Sequence, residues 1–397
     1  MPVFLFGGGL TLTGVMRILA RARIPFYAIS SESGLHTQSR WYRRFPTGLP
    51  NPEPPWLSAL LRALPVPHAV LMPCADDWAR EVAALPLELL ERFPASTSAL
   101  AVVETFVDKW QFTALLRREH IPHPRTLLLR SRQEAESLDE AEFEGSILKP
   151  VSSVHFSRKH GVKGYLVNTR EEAVAILRKI SFPIMLQQYI PGPSTASFFI
   201  DGFVDRHGRV LARFARRRLR IYPDKLGNSS LMVSVPLQEV APAVQNLDRL
   251  LQAVAYRGIF SAEFKYDQRD GVFKILEVNP RPWWYIEFAA RCGVDVCTLA
   301  YRDALGLPQQ AVQEYQVGRR CVFLANDYRA YRDMRGQDRM SLWSWIASWA
   351  GADEALFRWT DPRPSFAYFV DALKPRVEKR SDEPVMAEAT ADHRVVT

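Results

Sequence analysis

The chain has 397 residues, 47% of them hydrophobic and 24% charged, a composition that suits a globular protein of two to four domains at roughly 100–200 residues each. No apolar run reaches the ~18 residues that a membrane span needs, and Cys74, Cys292, Cys297 and Cys321 lack metal-ligand or redox spacing, so they predict reduced thiols in a cytoplasmic protein. A formal charge of +8, carried largely by arginine, reads as solvated faces or, alternatively, as arginines that face an anionic substrate; no nucleic-acid motif accompanies it.

In chain order, "MPVFLFGGGL" reads as a first strand and a glycine turn, not as a signal peptide. "VFLFGGGLTLTGVMRILARARIPFYAISSE" reads strand, turn, helix, strand, and "HAVLMPCADDWAREVAAL" reads strand, turn, helix. That rhythm predicts a parallel βαβ domain over residues 1–100. Gly7 and Gly9 match the first two positions of a G-x-G-x-x-G turn, but Leu12 stands where the third glycine belongs, and Glu32 ends the second strand where a ribose-binding acid would sit. The plainer reading is a glycine turn that lets a ligand or another backbone approach.

"VDKWQFTALLRREHIP" predicts a helix capped by Asp108 and stopped before Pro122. From "GSILKP" the pattern changes to strands at 146–150, 163–167, 183–190, 196–204 and 209–216, with "DRHG" as a hairpin turn. A helix at about 239–256 follows, then strands 259–267 and 272–279 joined by "DQRDG", then a helix from about 284. "LWSWIASWAG" predicts an amphipathic helix in a C-terminal extension. The tail from Glu378 has few large apolar residues and reads as disordered.

The most informative stretch is "GVFKILEVNPRPWWYIEF". Phe273, Ile275 and Val278 alternate with Lys274 and Glu277 as in a strand, and Pro280 and Pro282 end its pairing. Glu263 and Glu277 each lie seven residues from Asp270, so an antiparallel pair turning there sets them nearly opposite. Opposed carboxylates repel unless a cation lies between them. Asn279 shares the face of Glu277. Two carboxylates and an amide oxygen form a hard-oxygen set suited to Mg²⁺, with phosphates completing the shell; solvated carboxylates on an exposed sheet are the alternative. Three lysines favour the first reading. Lys149 ends an apolar strand, Lys109 opens a helix and Lys163 follows a polar loop, and lysine serves as a point charge for phosphate.

In this order of parts the sequence resembles the ATP-grasp superfamily over about residues 1–310. The resemblance rests on the glycine-turn front domain, "DKWQFTALLRREHIPHPRT", "ILKP", "MLQQYIPG" and above all "EFKYDQRDGVFKILEVNPR". The patterns "KPVSS…GVKG", "RRLRIYP" and "FRWTDPRPS" are similar to predicted carboxylate–amine ligases of the D-aspartate-ligase kind. The resemblance implies an α/β fold, α+β in the lid. Its parts are a Rossmann-like domain at 1–100, an ATP-grasp domain at 101–310 with a lid at about 145–192, a helical extension at 311–377 and a tail at 378–397.

It further implies ATP and Mg²⁺, or Mn²⁺, as cofactors. Lys109, Lys149 and Lys163 would hold phosphates. Gln187, Gln188, Tyr189 and Ile190 would hold adenine, with Gln188 where an acid is frequent. Glu263, Glu277 and Asn279 would hold the metal. Arg281 and Lys149 would act on the transferred phosphate, and Arg220 on the substrate carboxylate or its acyl phosphate. The implied reaction joins a small-molecule carboxylate to an amine through an acyl phosphate, releasing ADP and phosphate. Neither nucleic acid nor membrane is expected as a partner; a homodimer is compatible. Two rival readings are a nucleotide-binding regulatory module without catalysis and a dinucleotide-dependent oxidoreductase built on the front domain.

Overall fold

The computed structural model describes residues 1–29, 34–45, 57–151, 160, 162–224, 226–334, 340–373 and 395–396. Strands β1 (Val3–Phe6), β2 (Phe26–Ile29) and β3 (Val70–Pro73) pair in parallel in the order β2-β1-β3. The unbroken apolar runs "VFLF" and "VLMP" are buried on both faces, as a parallel sheet covered by helices requires. Val3 and Leu5 face helix α1 (Gly9–Arg21), while Phe4 and Phe6 face the opposite core, with Trp78 and Val82 of helix α2 (Asp76–Ala83). This is the parallel βαβ arrangement that the strand–turn–helix rhythm predicts. Leu12, at the place of a third fingerprint glycine, lies inside the core; the glycine that permits close helix packing is Gly14, whose added Cβ would stand 3.1 Å from Ile286. Glu32 lies outside the described residues.

Helix α3 (Lys109–Arg118) begins as expected, with the Asp108 carboxylate accepting from the Trp110 and Gln111 amides. The lid follows as an antiparallel sheet of β4 (Thr126–Leu129), β5 (Ser146–Pro150), β6 (Gly164–Val167) and β7 (Ile184–Gln188), ordered β6-β5-β7-β4. Leu148 and Leu186 pack with Ala173 and Leu177 of helix α4 (Arg170–Leu177) beneath it. The lid sheet thus starts earlier than the expected 145, because β7 completes its second edge with β4, setting Thr126 opposite Gln187. Most of the polar loop after Pro150 lies outside the described residues.

The central sheet combines β8 (Ser197–Val204), β9 (Val210–Tyr222), β10 (Asn228–Val235), β11 (Gly258–Asp267) and β12 (Val272–Asn279). "DRHG" and "DQRDG" make the expected hairpins, with Gly208 at φ 84° and Gly271 at φ 70°, values that glycine adopts freely. Helix α5 (Ala241–Ala253) seals one face, where Leu247 and Leu250 meet Phe260, Ala262 and Phe264. The alternate residues of β11, Ser261, Glu263 and Lys265, turn to the other face.

Helix α6 (Ile286–Arg291) leads to the extension, which contains β13 (Arg320–Val322), helix α7 (Leu324–Asp333), helix α8 (Leu342–Ala347), β14 (Asp353–Glu354) and helix α9 (Arg363–Leu373). It is not purely helical: β13 and β14 widen the central sheet to the order β12-β11-β8-β9-β10-β13-β14. Phe323 and Leu356 also join the front-domain core. The tail lies outside the described residues except β15 (Val395–Val396), which pairs with β6. No described helix is long and apolar enough to cross a membrane.

Candidate active site

A cleft of about 580 Å³ opens where front domain, lid and central sheet meet. The lid supplies Lys149 from β5, with Lys109 beside it at the start of α3; Lys163 stands at the mouth, where its ammonium donates to Asn228 Oδ1 at 3.0 Å. Burial pushes the Lys149 ammonium down to about 8, and Lys109 pushes the same way, against Glu277 and Glu263. Burial likewise lowers Lys109, offset by Glu277, Asp76 and Asp108. The two lysines therefore stand charge-strained, facing a pair of carboxylates.

Those carboxylates come from the central sheet. Glu263 on β11 pairs directly with Glu277 on β12, as the spacing predicts, and Asn279 pairs with Ser261. A β-bulge between Glu263 and Phe264 gives β12 one extra residue, Leu276, which lines the cleft. Glu263 Oε1 accepts from Arg218 Nη2 at 3.1 Å, and Glu277 Oε1 from Asn279 Nδ2 at 3.2 Å. Asn279 Oδ1 accepts from Arg281, whose guanidinium is forked on Asp76 of α2 at 2.7 and 3.1 Å. The Glu-x-Asn-Pro-Arg run is thereby tied to the front domain. Among the described residues no three His, Cys, Asp or Glu side chains cluster as a metal cage. Two carboxylates and one amide oxygen still fit Mg²⁺, which is held by one or two carboxylates plus water and phosphate oxygens.

At the hinge, Gln187 is buried and its Nε2 donates to Thr126 Oγ1 at 2.8 Å. The amides of Gln188 and Tyr189 donate to the carbonyls of Arg125 and Gly145. The Ile190 amide has no such bond among the described residues, and all four hinge residues line the cleft.

Arg220 does not line the cleft. It sits at the far end of the β9 arginine row, buried, with Nε and Nη2 forked on Asp327 of α7 at 2.9 and 2.7 Å and Nη2 also on Ser348. Arg218 and Arg216, two and four residues earlier on the same face, are the arginines at the site. Arg216 is locked to Asp201 and stacked 3.9 Å over the Phe199 ring; Arg218 reaches Ser229 and Glu263. The period-2 run "RRRLR" signals one inward row, but not which member meets the cleft. Asp76, Lys265 and Leu276 are further cleft residues beyond the sequence reading. Strand-end position could have flagged Asp76, and alternation with Glu263 could have flagged Lys265.

The arrangement has known relatives. A lid of antiparallel strands over a second antiparallel sheet, with lysines from one and paired acids from the other, preceded by a parallel βαβ domain, defines the ATP-grasp fold. Residues 181–325 match the family described as ATP-grasp in the biosynthetic pathway with Ter operon. The chain has an ATP-grasp fold, and it is similar to carboxylate–amine ligases of that kind. It is 26% identical over 248 residues to the D-aspartate ligase of Enterococcus faecium (strain Aus0004), a match covering 59% of this chain and 58% of that protein; the chain thus spans somewhat over half the length of that relative. Among solved structures it is similar to an L-amino acid ligase from Bacillus licheniformis (TM-score 0.58, 16% identity, 80% of this chain and 78% of the other). It is also similar to a carboxyaminoimidazole ribonucleotide synthase from Aspergillus clavatus complexed with ATP (TM-score 0.60, 14% identity, 80% of each chain).

Proposed function

We propose that this chain is an ATP-dependent ligase that joins a carboxylate to an amine through an acyl phosphate. The observation that carries the reading is the direct pairing of Glu263 with Glu277 across the cleft from Lys149 and Lys109. Such an array suits a polyanion held with a divalent cation. The named relatives that ligate amino acids support the same chemistry, and the ATP-bound neighbour supports the nucleotide.

In this reading adenine docks against the hinge, with the free Ile190 amide as its donor and Leu276 beneath it. Lys109, Lys149 and Lys163 hold phosphates. Glu263, Glu277 and Asn279 would hold Mg²⁺, which would spread charge over the phosphate oxygens when bound. The substrate carboxylate oxygen attacks the γ-phosphorus, the bond to the β-phosphate oxygen breaks, and ADP leaves. Lys149 and Arg281 offset charge on the transferring group. The donor carboxylate is assigned to Arg218 in place of Arg220. An amine then attacks the acyl carbon, phosphate departs, and the amine loses a proton. The acceptor side is formed by Thr11, Asp76, Asp77 and Trp284 of the same cleft. A closed lid keeps water from the acyl phosphate.

Hydroxylamine tests the reaction. With a carboxylic acid that supports turnover, Mg·ATP and hydroxylamine, the account expects hydroxamate and ADP in equal amounts with no other amine present. Hydroxamate formed with AMP and pyrophosphate in place of ADP and phosphate would indicate an acyl adenylate and overturn the mechanism.

A further inference from the structure

Ser261, Glu263 and Lys265 alternate along the cleft face of β11, and the proposed reaction uses only Glu263. Lys265 is 8% exposed, and its ammonium donates to the carbonyls of Gly192 at 3.3 Å and Pro193 at 2.7 Å, just past the hinge. An ammonium has three donors, so one remains, and the side chain lines the cleft beside Tyr189 and Ser194. The carboxylates of Glu263 and Asp224, which line the same cleft, favour its charge, but neither accepts a hydrogen bond from it among the described residues, so the third N–H is left for a further oxygen partner.

Position identifies the partner. Two residues along a strand span roughly 6.6 Å, so Lys265 lies between the hinge, where a base docks, and the carboxylate pair, where phosphates and metal meet. A nucleotide sugar fills that interval. The hinge supplies no acid for its hydroxyls: Gln188 stands there, and the Ser194 hydroxyl is spent on the Leu219 carbonyl. We propose that Lys265 recognises the ribose hydroxyls of the bound nucleotide with its third N–H, while the other two hold the 192–193 backbone as the floor of the sugar site. This rests on the nucleotide reading above.

The test measures dissociation constants of ATP, 2′-deoxy-ATP and 3′-deoxy-ATP for the wild-type chain and for Lys265→Met. The wild type should bind ATP on the order of tenfold more tightly than at least one deoxy analogue, the worth of one charge-assisted hydrogen bond. Lys265→Met should bind all three alike. If Lys265 only latches the backbone, the variant weakens all three by one factor and keeps the ratio, which overturns the proposal. A wild type indifferent to the hydroxyls overturns it without any variant and leaves the ATP reading standing. A wild type that binds none of the three nucleotides sinks the ATP reading and this inference with it.

Discussion

Lys149 shows how much of this site is electrostatic compromise. Its ammonium is pushed down to about 8 by burial and by Lys109, so a fraction of it is neutral near neutrality. Nucleotide phosphates favour the charged form, so binding should take up a proton near pH 8, and affinity should fall as pH rises from 7 to 9. Lys265, also lowered to about 8, adds to the same trend. Lys149→Arg stays charged over that range and should flatten most of the slope. Titration of ATP at pH 7, 8 and 9 checks this; a wild-type affinity constant across the range would contradict it. At this scale the acid pair was legible because both members sit in one hairpin. The bulge was not: a strict ladder continued from Asp267–Val272 would oppose Glu263 to Leu276, and the extra residue restores Glu277.

Strand β9 shows what hairpin logic misses. Its arginines alternate inward, but the strand outruns the cleft, and Arg220 is claimed by an acid 107 residues further on. Asp327 is fully buried and also accepts from Ser230 and the indoles of Trp345 and Trp349. No local pattern announces a partner that distant. The two arginines should therefore fail differently. Arg220→Ala strands a buried carboxylate and should cost about 3–5 kcal/mol in denaturant unfolding, while the folded fraction keeps its turnover. Arg218→Lys keeps a charge but loses the fork, and should lower turnover on the order of 10²-fold with a smaller stability change. The opposite assignment of losses would return the donor site to Arg220. Strand β10 escaped the sequence reading although it pairs with the neighbouring β9, because "NSSLMVSV" lacks a regular apolar alternation, and β4 pairs with β7, which is far from it in sequence.

Across the whole molecule, the C-terminal extension acts as a strap. Arg17 of α1 donates to Asp361 at 3.0 Å and to Glu287 at 3.3 Å, Glu287 also accepts from Arg358, and Asp361 accepts from Ser39. "FRWTDPRPS" thereby binds front domain and central sheet into one frame around the cleft. The parallel front units were legible from their strand–helix rhythm and most of the lid sheet from the change of pattern near Gly145, its edge strand β4 excepted, but this strap was not, because Arg17 and Asp361 stand at opposite ends of the chain. In the proposed reaction this frame presents Glu263, Glu277 and Asn279 to a metal–nucleotide complex. Crystals grown with Mn²⁺ and a non-hydrolysable ATP analogue test it most directly. An anomalous Mn²⁺ peak is expected at about 2.1 Å from oxygens of Glu263 and Glu277, with the base against Ile190. A nucleotide seated instead on the Gly7–Gly9 turn, or metal bound away from both glutamates, would contradict it.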